Sequence, residues 1–450
     1  MASSPIPISE GRRGLLEHAL SIFAQVKEGE GFTVLLLSLN VFLVLFSYYL
    51  LKPVRDALVL TQGGAEVTAY LYAATAVILL FLVPAYGGFA ARVNRIRLIT
   101  WVTVFFISHL GIFYLLGVAG VRIGAVFFIW LSIFSVLVVA QIWAFANDLF
   151  TEEQGKRLFP IVGVGSGLGA WLGAEMAGWL FGQFDAATAP YSLMLLAAAG
   201  FGAGIVISHA VHRRERERAT PEKASAAEKP LGKEGGFKLV FTQRYLLLIA
   251  ISVLLLNVVN TTGGFILDKV VIAGVAQQTT DIAEQQVIIG QFYGDFFGWV
   301  NLLGLLFQMF LVSRIFKYIG VRGALFILPC LALGSYALMI ATPLLGVIRI
   351  VKMLENSTDY SINKTASQAL FLLTSREAKY KAKAAIDTFF WRVGDMLQAG
   401  IVFLGVQLAF GIQGYATVNV VFTLIWLVIV VAIVREHKRL SAEASLPKAA

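Results

Sequence analysis

Lys352, Asn356, Asp359 and Asn363 stand at i, i+4, i+7 and i+11 in an otherwise apolar run. At about 100° per residue this spacing puts all four on one narrow helical face, with Arg349 at its edge and Glu355 on the opposite flank. Lysine meets a phosphate or other anion as a point charge and arginine as a fork. Arg349 and Lys352 therefore suit an anionic solute, with Asn356, Asp359 and Asn363 completing the face. The same residues suit a structural ion pair, Lys352 with Glu355 or Asp359. The two readings are compatible, because pairs that re-form as helices move are one way to gate a path.

Further polar residues interrupt apolar sequence elsewhere. Lys52, Pro53, Arg55 and Asp56 are followed by Leu58, Val59 and Leu60, which sets the charges inside a helix. Lys52 and Arg55 are candidate solute contacts; the alternative is a surface cap with Lys52 reaching toward the headgroups. Asn257 and Asn260 suit solute binding or a bond to a neighbouring helix. Asp387 and Gln398 share a helical face, Asp395 lies near it, and Arg392 can pair with Asp395 across one turn. Asp148, Glu153 and Arg157 fit a gate or a solvated turn. Asp295 and Glu175 are isolated acids, each a candidate proton or ion site unless protonated or paired.

Other chemistry finds no support. The glycines of GVGSGLGAWLGAEMAG lack the preceding strand that a dinucleotide-binding turn needs. Gly165, Gly169 and Gly173, four apart, suit close helix packing instead. Cys330 is the single cysteine, which excludes an internal disulfide and a cysteine-based metal site. The histidines are scattered, and no nucleophile elbow or phosphate loop occurs. No metal, cofactor, enzyme activity or nucleic-acid partner is expected.

These residues need helices to hold them. The chain is 58% hydrophobic and 14% charged, against about a quarter charged in soluble domains, and its mean hydropathy is +0.78. It is read as an all-α integral membrane protein. Twelve segments approach the ~20 residues that a span needs. They are 33–61, 67–90, 98–118, 123–150, 158–184 and 191–211, then 245–271, 287–310, 321–341, 345–373, 384–410 and 416–434.

The expected units are an N-terminal amphipathic segment (1–31, helical over 15–26), a six-helix half (32–211), a charged linker (212–243), a second half (244–434) and a tail (435–450). No cleavable signal is expected. Lysines and arginines crowd the alternate loops that include Arg92, Arg157, Arg314 and Lys381, whereas the others hold little beyond Arg122 and Lys269. The positive-inside rule then sets both termini in the cytoplasm. Two internal echoes suggest duplicated halves: Arg55-Asp56 with Asp268-Lys269, and the loop 151–158 with 374–383. Parallel six-helix repeats about a central cavity are the major-facilitator plan.

Three stretches carry a more specific resemblance: LLKPVRDALVLT (50–61), WAFANDLFTEEQGKRLFPIVGVGSGLG (143–169) and DYSINKTASQALFLLTSREAKYKAKAAID (359–387). Together they resemble the ATP/ADP translocase family, the nucleotide antiporters of plastids and intracellular bacteria. Tyr360-Ser361, Lys364, Lys381, Lys383 and Ala384-Ala385-Ile386-Asp387 match its signature, and Arg55 stands at its first-span basic position. The resemblance implies nucleotide exchange by alternating access across an inner or plasma membrane. The chain departs from the pattern at Leu131, where the family has an acid, and at Asp395, where it has a lysine. ATP/ADP exchange and transport of another nucleotide or anion both remain open.

The expectation is a twelve-helix, major-facilitator-like transporter of an anionic solute. Arg55, Arg349 and Lys352 meet the solute, and Glu355, Asp359 and Asp387 hold those bases when the site is empty. Two other classes stay in view: a proton-coupled transporter of a non-nucleotide solute, and a membrane scaffold that transports nothing.

Overall fold

The computed structural model describes residues 26–445 except 28, 91, 151, 219–235 and 376–377. The segment read as amphipathic before residue 26 and the middle of the charged linker lie outside the described residues.

Helices make up the architecture. They run in order α1 (Gly31–Ala90), α2 (Arg95–Val118), α3 (Gly124–Leu149), α4 (Glu152–Phe181), α5 (Ala189–Arg218), α6 (Gly236–Thr242), α7 (Arg244–Ala276), α8 (Ile282–Leu306), α9 (Val312–Ala341), α10 (Leu345–Thr358), α11 (Lys364–Leu370), α12 (Lys383–Ala385), α13 (Trp391–Gln407) and α14 (Ile412–Ser445). Among the described residues, nine helical stretches are long and apolar enough to cross a membrane. Two of these, 31–90 and 282–341, are 60 residues long, far beyond one bilayer thickness. Each breaks at a glycine with positive φ, Gly64 at 80° and Gly320 at 69°, a conformation that a side chain disfavours. The stretch 345–373 is not among the nine, because its polar stripe and its breaks deny it one long apolar helix.

Wider π turns occupy Asp359–Asn363, Ala378–Ala382 and Ile386–Phe390. These three fall within the stretches where charges interrupt the apolar pattern, whereas a fourth, Phe307–Leu311, lies in uncharged sequence; such turns often mark functional segments.

Glycine packing explains how α1 can be enclosed. A Cβ at Gly165, Gly169 or Gly173 of α4 would run into the backbone of Ser38, Phe42 or Phe46. Two rows spaced by four residues let the helices touch backbone to backbone, which replaces the missing hydrophobic drive between helices in lipid. Apolar side chains face outward on every side, among them Phe81, Trp101, Leu115, Val206 and Val428. Such a surface suits hydrocarbon, where the helix satisfies its own backbone. The chain is an integral, multi-pass membrane protein.

The core has two parts. One joins both halves, packing Phe127, Phe181 and Phe201 with Val271, Ile289 and Tyr415. The other lies within the second half, around Tyr245, Leu328, Ile386 and Trp426. At the end bearing Lys269 the halves also meet through polar contacts. Lys269 Nζ lies 2.6 Å from Glu66 Oε1, and Gln286 Nε2 donates to Thr61 Oγ1 at 3.3 Å.

Candidate functional site

A cavity of about 370 Å³ is lined by helices that precede and follow the charged linker, taken below as the first and second expected halves. From the first half it takes Tyr48, Lys52, Arg55, Asp56, Thr68, Tyr72, Ser132 and Ser135. From the second it takes Asn260, Asp268, Tyr293, Phe297, Lys352, Asn356, Tyr360, Trp391, Arg392 and Gln398, among others.

Three of its cations arrive with a carboxylate on the same helix. Arg55 Nη2 sits 2.6 Å from Asp56 Oδ1, and Nε donates to the same oxygen at 2.7 Å. The Arg55 guanidinium also lies 4.9 Å from the centre of the Phe128 ring. Lys352 is 1% exposed. Its Nζ donates to Glu355 Oε2 at 2.7 Å and to Asn260 Oδ1 at 3.1 Å. Tyr336 donates to the same Glu355 oxygen at 3.1 Å. Arg392 pairs with Asp395 at 3.0 Å, and Asn257 Nδ2 donates to Asp395 at 2.8 Å.

Lys52 differs from these three. Among the described residues it forms no ion pair, and its Nζ lies 4.1 Å from the centre of the Phe297 ring and 4.8 Å from that of Tyr49. Pro53 follows it within α1 and supplies no amide for the carbonyl of Tyr49.

The cavity thus gathers Lys52, Arg55, Lys352, Asn356 and Asn260 from the solute contacts read in the sequence. Four other candidates lie elsewhere. Arg349 forms an ion pair with Asp295 and lies over the Phe292 ring, tying α10 to α8. Asp295 is therefore a paired acid. Asn257 is fully buried and bonds the carbonyl of Trp391 at 2.7 Å as well as Asp395, which is its helix-joining reading. Asp359 accepts from Asn363 at 2.8 Å, and neither lines the cavity. Tyr360, one turn on from Asn356, takes the lining position instead. Of the carboxylates expected to hold the bases, only Glu355 does so. Asp359 is spent on Asn363, and Asp387 pairs with Lys383 at 2.8 Å.

Glu175 is half-buried, with its carboxyl close to Gly298 of α8 and its flank beside Leu172, Met176 and Trp179 on the outer surface. The side chain of Asp148 lies outside the described part of the structure. Glu153 and Arg157 belong to a cluster at the end of α4. Arg157 forks onto Glu30 at 3.0 and 3.1 Å, Gln154 donates to Glu30 at 3.0 Å, and Lys27 reaches Glu153 at 2.9 Å.

Several cavity residues escaped the sequence reading as site residues. Asp268 accepts from the Tyr293 hydroxyl and has no cation partner among the described residues. Its signal was the echo of Arg55-Asp56 in the seventh expected span. Gln398 is 1% exposed, and its Oε1 has no hydrogen-bond partner. Sharing a face with Asp387 was its only sign. Tyr48, Tyr72 and Tyr293 gave none, since an aromatic in an apolar run reads as packing.

The family profile described as TLC ATP/ADP transporter matches residues 16–118. The chain is 22% identical over 327 residues to ADP,ATP carrier protein 1 of Chlamydia pneumoniae, across 65% of this chain and 63% of that one. It thus spans just under two thirds of the length of that curated relative. The fold is similar to the nucleoside transporter NupG, with a TM-score of 0.60 at 15% identity over 89% of this chain and 98% of that chain. It is also similar to an inward-facing bacterial homologue of the iron transporter ferroportin, with a TM-score of 0.60 at 17% identity over 89% and 98% of the two chains. In sequence the chain is similar to the ATP/ADP translocase family, and in fold to major-facilitator-like transporters.

Proposed function

We propose that the chain is a secondary transporter that moves an anionic solute, a nucleotide taken in exchange for another, by alternating access. One observation carries this reading: both halves of a lipid-facing bundle contribute cations to a single cavity, Lys52 and Arg55 from one side and Lys352 from the other. Charge at that depth is costly and marks solute paths. The similarity to a family of nucleotide carriers supports the same class of solute.

Counting each 60-residue run as two spans divided at Gly64 or Gly320, and adding 345–373, gives twelve spans. The halves are then 32–211 and 244–434, joined by the linker 212–243 and flanked by the segments 1–31 and 435–450. Lysine and arginine placement sets both termini in the cytoplasm of an inner or plasma membrane. In this reading the halves rock about the cavity. The contacts of Glu66 with Lys269 and of Thr61 with Gln286 close one end in the described conformation. Asn356 and Asn260 line the solute with the cations. Arg349, Asn257, Asp359 and Asn363 brace the helices that carry them, and the pairs of Asp56, Glu355 and Asp395 keep the site ordered when no solute is present.

Proteoliposomes loaded with unlabelled adenine nucleotide test this. Labelled nucleotide outside should enter faster than into empty vesicles, and a proton ionophore should leave the rate unchanged. Entry that ignores internal nucleotide and collapses with the ionophore would favour a proton-coupled carrier.

A further inference from the structure

The charges around the cavity balance. Four cations face it, Lys52, Arg55, Lys352 and Arg392. Four carboxylates stand with them: Asp56 and Asp268 on the lining, and Glu355 and Asp395 directly behind. Three of these carboxylates cannot withdraw when a solute arrives. Asp56 is the neighbour of Arg55 in the chain, and Glu355 and Asp395 sit one turn from their cations on the same helices. Tyr336 and Asn257 bind the last two from the other side, at 3.1 and 2.8 Å.

A polyanion entering this space would displace the cations from their partners and leave fixed carboxylates buried beside it. Breaking a buried pair in this way is strongly unfavourable, and Coulomb repulsion between charges is stronger away from bulk water. Among the described residues Lys52 is the one lining cation without an ion pair, and Asp268 adds a matching negative charge to the same lining. The remaining uncommitted groups are neutral. Among the described residues the buried amide oxygens of Asn356 and Gln398 have no hydrogen-bond partner, and both residues border the cavity. Tyr72, Phe297 and Trp391 add aromatic surface. Amide side chains read a nucleobase edge by paired hydrogen bonds, and rings stack on it.

We infer that the central site selects a ligand of low net charge: a nucleotide carrying about one negative charge, its base read by Asn356 and Gln398 and its anionic group held by Lys52, in preference to nucleoside di- and triphosphates. This rests on the reading of the cavity as a nucleotide site. Within that reading, Asp268 sets the charge limit. It is the one lining carboxylate with no cation partner among the described residues, so neutralising it removes an uncompensated negative charge from the cavity wall and admits one more on the ligand.

The test is a ladder of ligands with one base and rising charge: adenosine, cyclic AMP, AMP, ADP and ATP. Binding to the purified full-length protein is read by thermal shift and by calorimetry, for the wild type and for Asp268→Asn. The wild type should bind cyclic AMP most tightly, with adenosine weaker for want of the charge that Lys52 holds and ATP at least about tenfold weaker. Asp268→Asn should move the optimum one step toward AMP, and Gln398→Ala should weaken every member of the ladder alike. ADP or ATP binding as tightly as cyclic AMP would overturn the charge limit and leave nucleotide transport standing. An Asp268→Asn protein whose preference does not move would also overturn it. No binding by any member to either protein would overturn both the limit and the nucleotide reading.

Discussion

Lys352 and Glu355 lie 2.7 Å apart, one turn apart on α10, and both are almost wholly buried. The cation that was the clearest solute contact in the sequence is thus also half of a structural pair. The two roles coincide because one face of Lys352 borders the cavity while Glu355, Asn260 and Tyr336 hold the other.

Removing only one member of that pair leaves a buried charge. Lys352→Met or Glu355→Gln should therefore lower the melting temperature in detergent, with a loss of about 3–5 kcal/mol for the lysine change. The double replacement by apolar residues should recover most of it. Scanning fluorimetry of the single and double variants checks this, and a double variant no more stable than Lys352→Met would sink the pairing argument.

At the other end of the molecule the pair of Lys269 with Glu66 is half-exposed, so its share of stability is small, about 1 kcal/mol or less. Its effect belongs to conformation, since it ties the two halves together. Glu66→Lys should raise the labelling rate of a cysteine placed at Thr68 severalfold, with little change in melting temperature. The exchanged pair Glu66→Lys with Lys269→Glu should restore the slow rate.

The cluster at the start of α1 and α4 makes stability depend on pH. Burial works to raise the Glu30 carboxyl, but hydrogen bonds from Arg157, the Lys27 amide and Gln154 outweigh it and hold the group below its ordinary range. The hydrogen bond from Lys27, joined by the nearby charges, lowers Glu153 as well. A carboxyl depressed in the folded state contributes stability that is complete above its ordinary range and is lost as pH falls through the lowered values. Melting temperature should therefore drop on acidification below that range. Glu30→Gln should lower the neutral-pH value and flatten the acid limb.

Close packing of α1 with α4 predicts a steric result. Gly169→Val sets methyl groups against the backbone of Phe42. It should cost about 1–3 kcal/mol, and should do so in the absence of any ligand. A change at Gly202, where an added Cβ meets nothing, is the control.

How much of this was legible in the sequence depended on regular geometry. Lys352 and Asn356 fell on the right face because α10 is an ordinary helix up to Thr358. Asp359 and Asn363 did not line the cavity, since its edge follows Lys352, Asn356 and Tyr360 at four-residue steps while Asp359 and Asn363 bond to each other. Arg349 read as a solute contact because Asp295, its partner, is 54 residues away in the chain on another helix, and the distance between them in the fold is invisible to periodicity. Asp268 was noticed only as an echo. That it forms no ion pair among the described residues is a tertiary fact. Lys52 and Arg55 were legible because charges amid a long apolar helix have few other uses.

The central claim is that this cavity carries an anionic solute, and Lys52 tests it most directly because its removal strands no buried partner. Counterflow of labelled adenine nucleotide into preloaded proteoliposomes should be measured for the wild type and Lys52→Ala at matched insertion. Loss of one charge-assisted contact should reduce uptake by about tenfold to a hundredfold, with the melting temperature nearly unchanged. Equal uptake by the two proteins, or wild-type uptake indifferent to internal nucleotide, would contradict the account.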